Sequence, residues 1–243
     1  MDPTWLTNAL HHHTAAFTAA AEGGDPALVV PTCPEWRLRD LIGHIGQAHR
    51  WAAGMVRTGQ PDAVPDPREA DPPADWAGWL AEGATELADA VCTSDTVVPT
   101  LLGPGPAVFW LRRMLHDLVV HHADACLTTR RTTFEVAPDV ATDAIDEALG
   151  LLSAPGAEAL KPALTELRGT GQKLLLRNEN TGWLITRTPD GIRYRHGVEA
   201  ADVTVTGPVR DLLLLLTRRL PPARLAIEGD HALLDHWLTR SAL

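Results

Sequence analysis

The chain has 243 residues, 45% of them hydrophobic, which is enough to bury the core of one large domain or two modest ones. Its formal net charge of −10 excludes the strongly basic surface that nucleic acids or anionic membranes require. The three cysteines are widely spaced and form no disulfide framework. Because residues 1–21 lack a signal-peptide pattern and no apolar run is long enough to cross a bilayer, we expect a cytoplasmic protein.

The first half of the sequence has the periodicity of amphipathic helices, with apolar residues recurring every three or four positions. The four predicted helices cover residues 4–21, 37–57, 76–92 and 107–128. Prolines predict loops at residues 30–36 and 59–75 and a turn at residues 99–106. Helices connected in this way indicate a four-helix bundle.

The second half changes to a mixed pattern. An amphipathic helix is predicted at residues 140–152, and short alternating runs separated by turn residues then predict strands. The four predicted strands cover residues 173–177, 182–188, 192–196 and 202–205. Two further helices are predicted at residues 209–219 and 232–238. We therefore predict an α+β protein with two domains, at residues 1–132 and 138–243.

Asp117 and His121 are four residues apart on the fourth predicted helix, so their side chains project from the same face. A carboxylate and an imidazole together suit zinc or another first-row divalent ion. Asp124, three residues further on, could orient one of these ligands through a hydrogen bond. The alternative is a polar helix face in contact with water, since His116 and His122 also lie on this helix.

His44 lies at the edge of the apolar stripe of the second predicted helix, a position that can face the fourth helix in a bundle. The ordinary alternative for it, as for His49 and the histidines at residues 11–13, is a half-buried ring with satisfied nitrogens. With Asp117 and His121, His44 would complete a set of three protein ligands. Such a set leaves an open position where water or a thiol sulfur can bind and be activated.

Other residues with reactive or aromatic side chains have simpler interpretations. Cys33 has no accompanying catalytic signature and is expected to be a small apolar group in the core. Trp36 and Trp51 are expected to be core aromatics of the bundle. Residues 228–230 are expected to form a tight turn, because no glycine-rich phosphate-binding motif occurs in the sequence.

The order of several motifs resembles the mycothiol-dependent maleylpyruvate isomerase family. Its first motif is similar to residues 30–36 (Val-Pro-Thr-Cys-Pro-Glu-Trp), 41–46 (Leu-Ile-Gly-His-Ile-Gly) and 49–51 (His-Arg-Trp). Its second motif, a Glu, three residues, a His and then Asp-Ala, is matched by Asp117, His121 and Asp124-Ala125. The second half is similar to the family's other domain at residues 202–208, 211–216, Arg219, 228–230 and Trp237.

This resemblance implies a DinB-like four-helix bundle followed by a smaller α+β sterol-carrier-like domain. It also implies that His44, Asp117 and His121 bind a divalent metal, with zinc the expected ion. Asp117 stands where the family usually has Glu, which shortens the reach of the ligand by one methylene group. Ala123 and His122 replace the usual Trp and Arg beside the motif, so the wall of the pocket is altered.

Arg219 is the basic residue of the second domain that the resemblance implies to be catalytic. It could bind a carboxylate of the substrate or of the thiol through a bidentate pair. The alternative is an arginine that faces the C-terminal dipole of a helix and water, and Arg218 could play either part.

The expected function is that of a metal-dependent enzyme that uses mycothiol. It would add the thiolate to an electrophilic small molecule, either as a thiol S-transferase or as a maleylpyruvate-type cis–trans isomerase. The expected partners are the electrophile and the low-molecular-weight thiol, without nucleic acid or membrane, and the expected assembly is a monomer or small homo-oligomer. The alternative is a non-catalytic protein that binds a metal or a small molecule on the same scaffold.

Overall fold

The computed structural model describes residues 2–179 and 181–242, so Met1, Asn180 and Leu243 lie outside the described residues. The chain divides after Phe134 into two units. The first unit is mainly helical and the second contains a five-stranded sheet, which confirms the predicted α+β class. Within the described residues, no helix combines the length and the apolar character needed to cross a membrane.

The helices of the first unit have the expected positions. They are α1 (Pro3–Ala21), α2 (Leu38–Thr58), α3 (Trp76–Cys92) and α4 (Val108–Thr129), and each end lies within one residue of the predicted boundary. Carboxylates cap three of the N-termini: Asp2 accepts a hydrogen bond from the Thr4 amide, Asp40 from the Arg37 amide, and Asp75 from the Gly78 amide. These caps satisfy amides that have no partner within the helix, so they help to determine where the helices begin.

The core of the first unit lies between the helices. Helix α1 packs on α4, helix α2 packs on α3, and α2 also contacts α4. Each helix contributes fully buried apolar side chains, among them Leu6, Leu10 and Phe17 of α1, Leu41 of α2, Leu80 and Leu87 of α3, and Leu111, Leu115 and Leu118 of α4. Burial of these side chains is the main favourable contribution to the stability of the bundle.

Helices α2 and α3 approach each other closely at Gly46. A methyl group at this position would lie 1.9 Å from the ring of Trp79. Arg50, one turn further along α2, lies over the same ring at 4.6 Å and donates hydrogen bonds to the carbonyl oxygens of Gly46 and Trp79. The contact between these two helices therefore depends on the absence of a side chain at residue 46.

Two short hairpins differ from the predicted loop and turn. Residues 29–37 form β1 (Val29–Val30) and β2 (Cys33–Arg37), and residues 97–106 form β3 (Val97–Thr100) and β4 (Gly103–Pro106). The loop predicted at residues 30–36 is thus a hairpin, and the turn predicted at residues 99–106 is limited to the two residues between β3 and β4. Prolines and glycines are uncommon in strands, so they conceal the strand pattern in the sequence. The hairpins still form because pairing across such a short connection needs only a few backbone N–H donors.

The second unit begins with helices α5 (Pro138–Ser153) and α6 (Ala157–Leu160) and the short 3-10 helix Pro162–Leu167. Its sheet contains β5 (Lys173–Arg177), β6 (Gly182–Thr188), β7 (Gly191–His196), β8 (Val203–Thr206) and β9 (Ala226–Gly229), in the order β7-β6-β5-β8-β9. Only the pair β5–β8 is parallel among the described strands. Helix α7 (Val209–Leu216) connects β8 towards β9, and α8 (His231–Arg240) follows the sheet.

Two details of the second unit correct the prediction. Residues 226–229 form an edge strand paired with β8, where only a turn was predicted at residues 228–230. Helix α7 ends at Leu216 instead of residue 219, because Arg218 adopts a left-handed conformation with φ of 66°. Such a residue ends a helix, and its position could not be read from the apolar periodicity.

Candidate metal centre

Three side chains from two helices converge in the first unit. His44 comes from α2, and Asp117 and His121 come from successive turns of α4, with one donor atom of each within 4.8 Å of the others. Nε2 of His44 lies 3.1 Å from Oδ2 of Asp117, and Nε2 of His121 lies 3.9 Å from the same oxygen. The three residues singled out by their spacing and motif order are thus brought together.

The separations of these donor atoms suit a small divalent cation. Four ligands placed tetrahedrally at about 2.1 Å from zinc lie roughly 3.4 Å from one another. The two measured distances to Oδ2 of Asp117, 3.1 and 3.9 Å, lie on either side of this value. Two imidazole nitrogens and one carboxylate oxygen are also a donor set typical of first-row divalent ions. The residues therefore fit a metal with three protein ligands.

The carboxylate of Asp117 is divided between two kinds of partner. Its Oδ2 atom faces the two imidazoles, and its Oδ1 atom lies 3.6 Å from the guanidinium of Arg113, one turn earlier on α4. Burial by itself would raise the pKa of this carboxyl. The charge of His121, the hydrogen bond with His44 and the charge of Arg113 outweigh burial and hold the pKa of Asp117 well below its usual range. The group is therefore ionised at neutral pH, as a metal ligand must be.

The second nitrogen of His121 has a partner of its own. Nδ1 lies 2.8 Å from Oδ2 of Asp124, whose side chain is completely buried. The hydroxyl of Thr32, in the turn between β1 and β2, donates to the other oxygen of Asp124 at 2.5 Å. This confirms the predicted contact of Asp124 with a candidate ligand. The contribution of Thr32 was missed, since nothing in its local pattern places the first hairpin against α4.

The ring of Trp36 covers the two imidazoles. Its centroid lies 5.0 Å from that of His44 and 5.7 Å from that of His121. The residue is half-buried, as is Trp51, which packs edge-on against Trp110 at 5.0 Å. The expectation that Trp36 and Trp51 are core aromatics was wrong, because β2 and the exposed side of α2 place both rings around the candidate site.

The other histidines of the bundle lie outside the donor cluster. His49 is buried, and among the described residues its ring nitrogens have no hydrogen-bond partner, unlike the satisfied ring that was expected. Burial lowers its pKa to about 4. His13 and His122 pack together at 5.7 Å, and burial lowers their pKa values to about 3 and about 4. These rings are neutral near pH 7. Cys33 is half-buried and also lies outside the cluster.

Arg218 and Arg219 follow α7 in the second unit and have different partners. The guanidinium of Arg218 donates to the carbonyl oxygen of Leu238 at 2.6 Å and to the hydroxyl of Ser241 at 3.0 Å, so it fastens the end of α8. The half-buried guanidinium of Arg219 donates to the carbonyl oxygen of Thr217 at 2.6 Å. This contact lies within its own turn, and the predicted catalytic role of Arg219 stays a prediction.

Comparisons with known proteins agree with the motif order. A model of the mycothiol maleylpyruvate isomerase N-terminal domain matches residues 7–126, and one of the C-terminal domain of the same enzyme matches residues 135–236. The chain also resembles a crystal structure of the mycothiol-dependent maleylpyruvate isomerase, with a TM-score of 0.60, 14% identity and 95% of both chains covered. A histidine-to-alanine mutant of that enzyme gives the same values.

At 14% identity these structures establish a similar fold. A search of curated proteins finds no match. The two family models, however, together span most of the sequence, in the expected order and on the two units seen in the structure. The chain therefore belongs to the mycothiol maleylpyruvate isomerase family.

Proposed function

We propose that this protein is a metal-dependent enzyme that uses mycothiol to attack an electrophilic small molecule. The observation that carries the proposal is the cluster of His44, Asp117 and His121, whose donor atoms lie within 4.8 Å of one another. Family membership supports the use of mycothiol, and the donor set favours zinc. Three protein ligands leave a coordination position for the thiol.

Each side chain of the cluster has a distinct task. His44 and His121 supply neutral imidazole nitrogens, and Asp117 supplies the negative charge that offsets part of the charge of a cation. Asp124 keeps a proton on Nδ1 of His121 and so directs Nε2 towards the centre. When bound by His44, Asp117 and His121, a divalent cation would lower the pKa of a thiol beside it, so that the thiolate would be present at neutral pH.

The reaction needs no external oxidant or reductant. The sulfur lone pair forms a carbon–sulfur bond with a conjugated alkene, while the π electrons move onto the neighbouring carbonyl oxygen. Rotation about the resulting single bond and return of the electrons then break the carbon–sulfur bond and restore the thiolate. This sequence is a cis–trans isomerisation. Protonation of the adduct, or loss of another group, would instead make the enzyme an S-transferase.

We assign the recognition of a carboxylate to Arg219 in this proposal. A guanidinium presents two parallel N–H groups that match a carboxylate, and the residue carries the basic position implied by the family resemblance. The carboxylate would belong to the substrate or to the thiol.

The proposal is tested by measuring metal content and turnover together. We expect about one zinc per chain by elemental analysis and mycothiol-dependent isomerisation or conjugation of a conjugated electrophile. His44→Ala and His121→Ala should lose both metal and turnover. His12→Ala, an exposed histidine outside the cluster, is the matched control and should retain them.

Two outcomes would contradict parts of the proposal. A protein that binds no metal under any loading condition would exclude the metal centre. Stoichiometric metal that depends on His44 and His121 but supports no thiol chemistry would favour the alternative of a non-catalytic binding protein.

A further inference from the structure

A cavity of about 190 Å³ lies beside the candidate metal centre within the first unit. His44 and Asp117 form one side of it. The rest is lined by Gln47, Ala48 and Trp51 of α2, by Trp110, Arg113 and Met114 of α4, and by Val64, Pro65 and Leu101 from two loops. A cavity of roughly 150 Å³ in a protein core holds a benzene ring. The space next to the cluster therefore suits a molecule with one ring or an equivalent branched chain.

The two tryptophans present the cavity with carbon surface. Their rings pack edge-to-face with centroids 5.0 Å apart. The indole N–H of Trp110 donates to the carbonyl oxygen of Pro99 at 2.7 Å, and that of Trp51 donates to the carbonyl oxygen of Asp62 at 3.3 Å. Because both polar groups are engaged by backbone, the parts of the rings that line the cavity are carbon. Such walls favour an apolar or aromatic body.

The charge of the lining is small. Among the described residues that line the cavity, Arg113 is the one permanent cation, and it already lies 3.6 Å from the Oδ1 atom of Asp117. Gln47 adds a neutral amide whose Oε1 atom is buried and has no hydrogen-bond partner within the described part of the chain. Moving an anion from water into this cavity requires a compensating charge. Besides a cation bound at the cluster, whose charge Asp117 would partly offset, the described lining offers only Arg113, which is shared with Asp117, so a second anionic group is poorly compensated.

We infer that the cavity selects an electrophile with a ring-sized apolar body and a single anionic group, with Arg113 as its specificity-determining contact. A compact dianion such as maleylpyruvate does not match these walls. The inference rests on the proposed function, because the ligand is identified as the electrophile by the proximity of the cavity to His44 and Asp117. It adds the substrate class, which the family match does not specify for this chain.

The test compares three probe molecules by isothermal titration on the full-length protein, with its metal content measured in the same samples. Cinnamate carries a ring and one carboxylate, cinnamamide the ring without the charge, and maleate two carboxylates without the ring. We expect cinnamate to bind at least about tenfold more tightly than either of the others, since one charged hydrogen bond and the buried ring each contribute. In ¹H–¹⁵N spectra, cinnamate should shift the indole signals of Trp51 and Trp110.

Variants separate the contributions of charge and of space. Arg113→Gln should reduce the affinity for cinnamate to that for cinnamamide, with zinc content as the check because Arg113 also contacts Asp117. Ala48→Leu should fill the cavity and abolish binding. Gly54→Leu is its matched control, because it adds the same side chain to α2 where no atom lies within 4 Å, and binding should persist.

The inference is overturned if maleate binds as tightly as cinnamate, if Ala48→Leu still binds cinnamate, or if the two indole signals do not respond. None of these outcomes depends on metal content or on mycothiol-dependent turnover, so each would overturn the cavity preference without contradicting the proposed function. A protein that lacks metal or turnover but still prefers cinnamate would contradict the proposed function and retain the cavity preference.

Discussion

The Nδ1 atom of His121 lies 2.8 Å from the Oδ2 atom of Asp124. With Nδ1 as the donor to this carboxylate, the lone pair of the imidazole lies on Nε2, the atom 3.9 Å from Oδ2 of Asp117. The other oxygen of Asp124 accepts the hydroxyl proton of Thr32 from the first hairpin. One buried carboxylate thus connects a surface hairpin to a metal-donor atom.

Asp124→Asn should weaken the metal centre. The asparagine amide is a neutral acceptor and holds the imidazole in this tautomer less strongly than the charged carboxylate does. Removal of such a partner typically reduces metal affinity about 10- to 100-fold. Competition titration with a zinc chelator measures the change. Thr32→Val removes the second contact and should have a smaller effect, while Thr32→Ser should bind zinc like the unmodified protein. Equal affinity in Asp124→Asn would show that Asp124 does not orient His121.

Trp36→Ala should expose the two imidazoles that the indole covers. We expect a faster exchange of the bound metal with chelator and a lower affinity, because water gains access to His44 and His121. Trp36→Phe retains an aromatic ring over the imidazoles. Its rate of metal release should lie between those of the unmodified protein and Trp36→Ala. Stopped-flow chelation provides the rates, and the prediction fails if Trp36→Ala releases metal no faster than Trp36→Phe.

The buried ring of His13 should make the first unit sensitive to acid. Burial, followed by the neighbouring His122, lowers the pKa of His13 to about 3 from an ordinary value of 6.5. Between these two values the unfolded chain binds a proton that the folded chain does not, so stability falls as the pH is lowered from 6.5 towards 3, by up to about 1.4 kcal/mol per pH unit.

His13→Leu removes this titration, and its free energy of unfolding should depend less steeply on pH in that window. Urea denaturation at several pH values measures the slope. His231→Gln, at an exposed histidine, is the control and should retain the original slope. The same slope in His13→Leu would show that other groups account for the acid sensitivity.

Substitutions at Arg218 and Arg219 should distinguish an effect on stability from an effect on activity. Arg218→Gln loses charged hydrogen bonds to the end of α8 and should reduce the free energy of unfolding by about 1–3 kcal/mol. Arg219→Gln should reduce kcat/KM for a carboxylate-bearing substrate, an effect distinct from any change in stability. Thermal unfolding and steady-state kinetics on both variants distinguish the two roles. Loss of stability without loss of kcat/KM in Arg219→Gln would contradict its assignment.

Local periodicity predicted much of the bundle and part of the site. The four helices of the first unit were placed to within one residue, and the i, i+4 spacing placed Asp117 and His121 on one face of α4. The contact of His44 with α4 followed from its position on the apolar stripe of α2. These relations are local or depend on the ordinary packing of two helices, so the sequence carries them directly.

The parts that were missed depend on contacts between distant residues. Thr32 and Asp124 are 92 residues apart, and their hydrogen bond exists because residues 29–37 fold into a hairpin that prolines conceal. The same hairpin moves Trp36 from the expected core to the rings of His44 and His121. Short strands with prolines have no periodicity to detect, and their position is decided by what they pack against.

The close contact at Gly46 has a consequence for the candidate metal centre. Gly46 lets α2 lie directly against Trp79, and His44 is only two residues away, with its ring directed to Asp117 of α4. The distance from His44 to Asp117 and His121 therefore depends partly on how closely α2 packs against α3 on its other side. Replacements at Gly46 or Trp79 would alter the ionic radius that the three donor atoms can accommodate. They would change the preference among cations although His44, Asp117 and His121 themselves were not substituted.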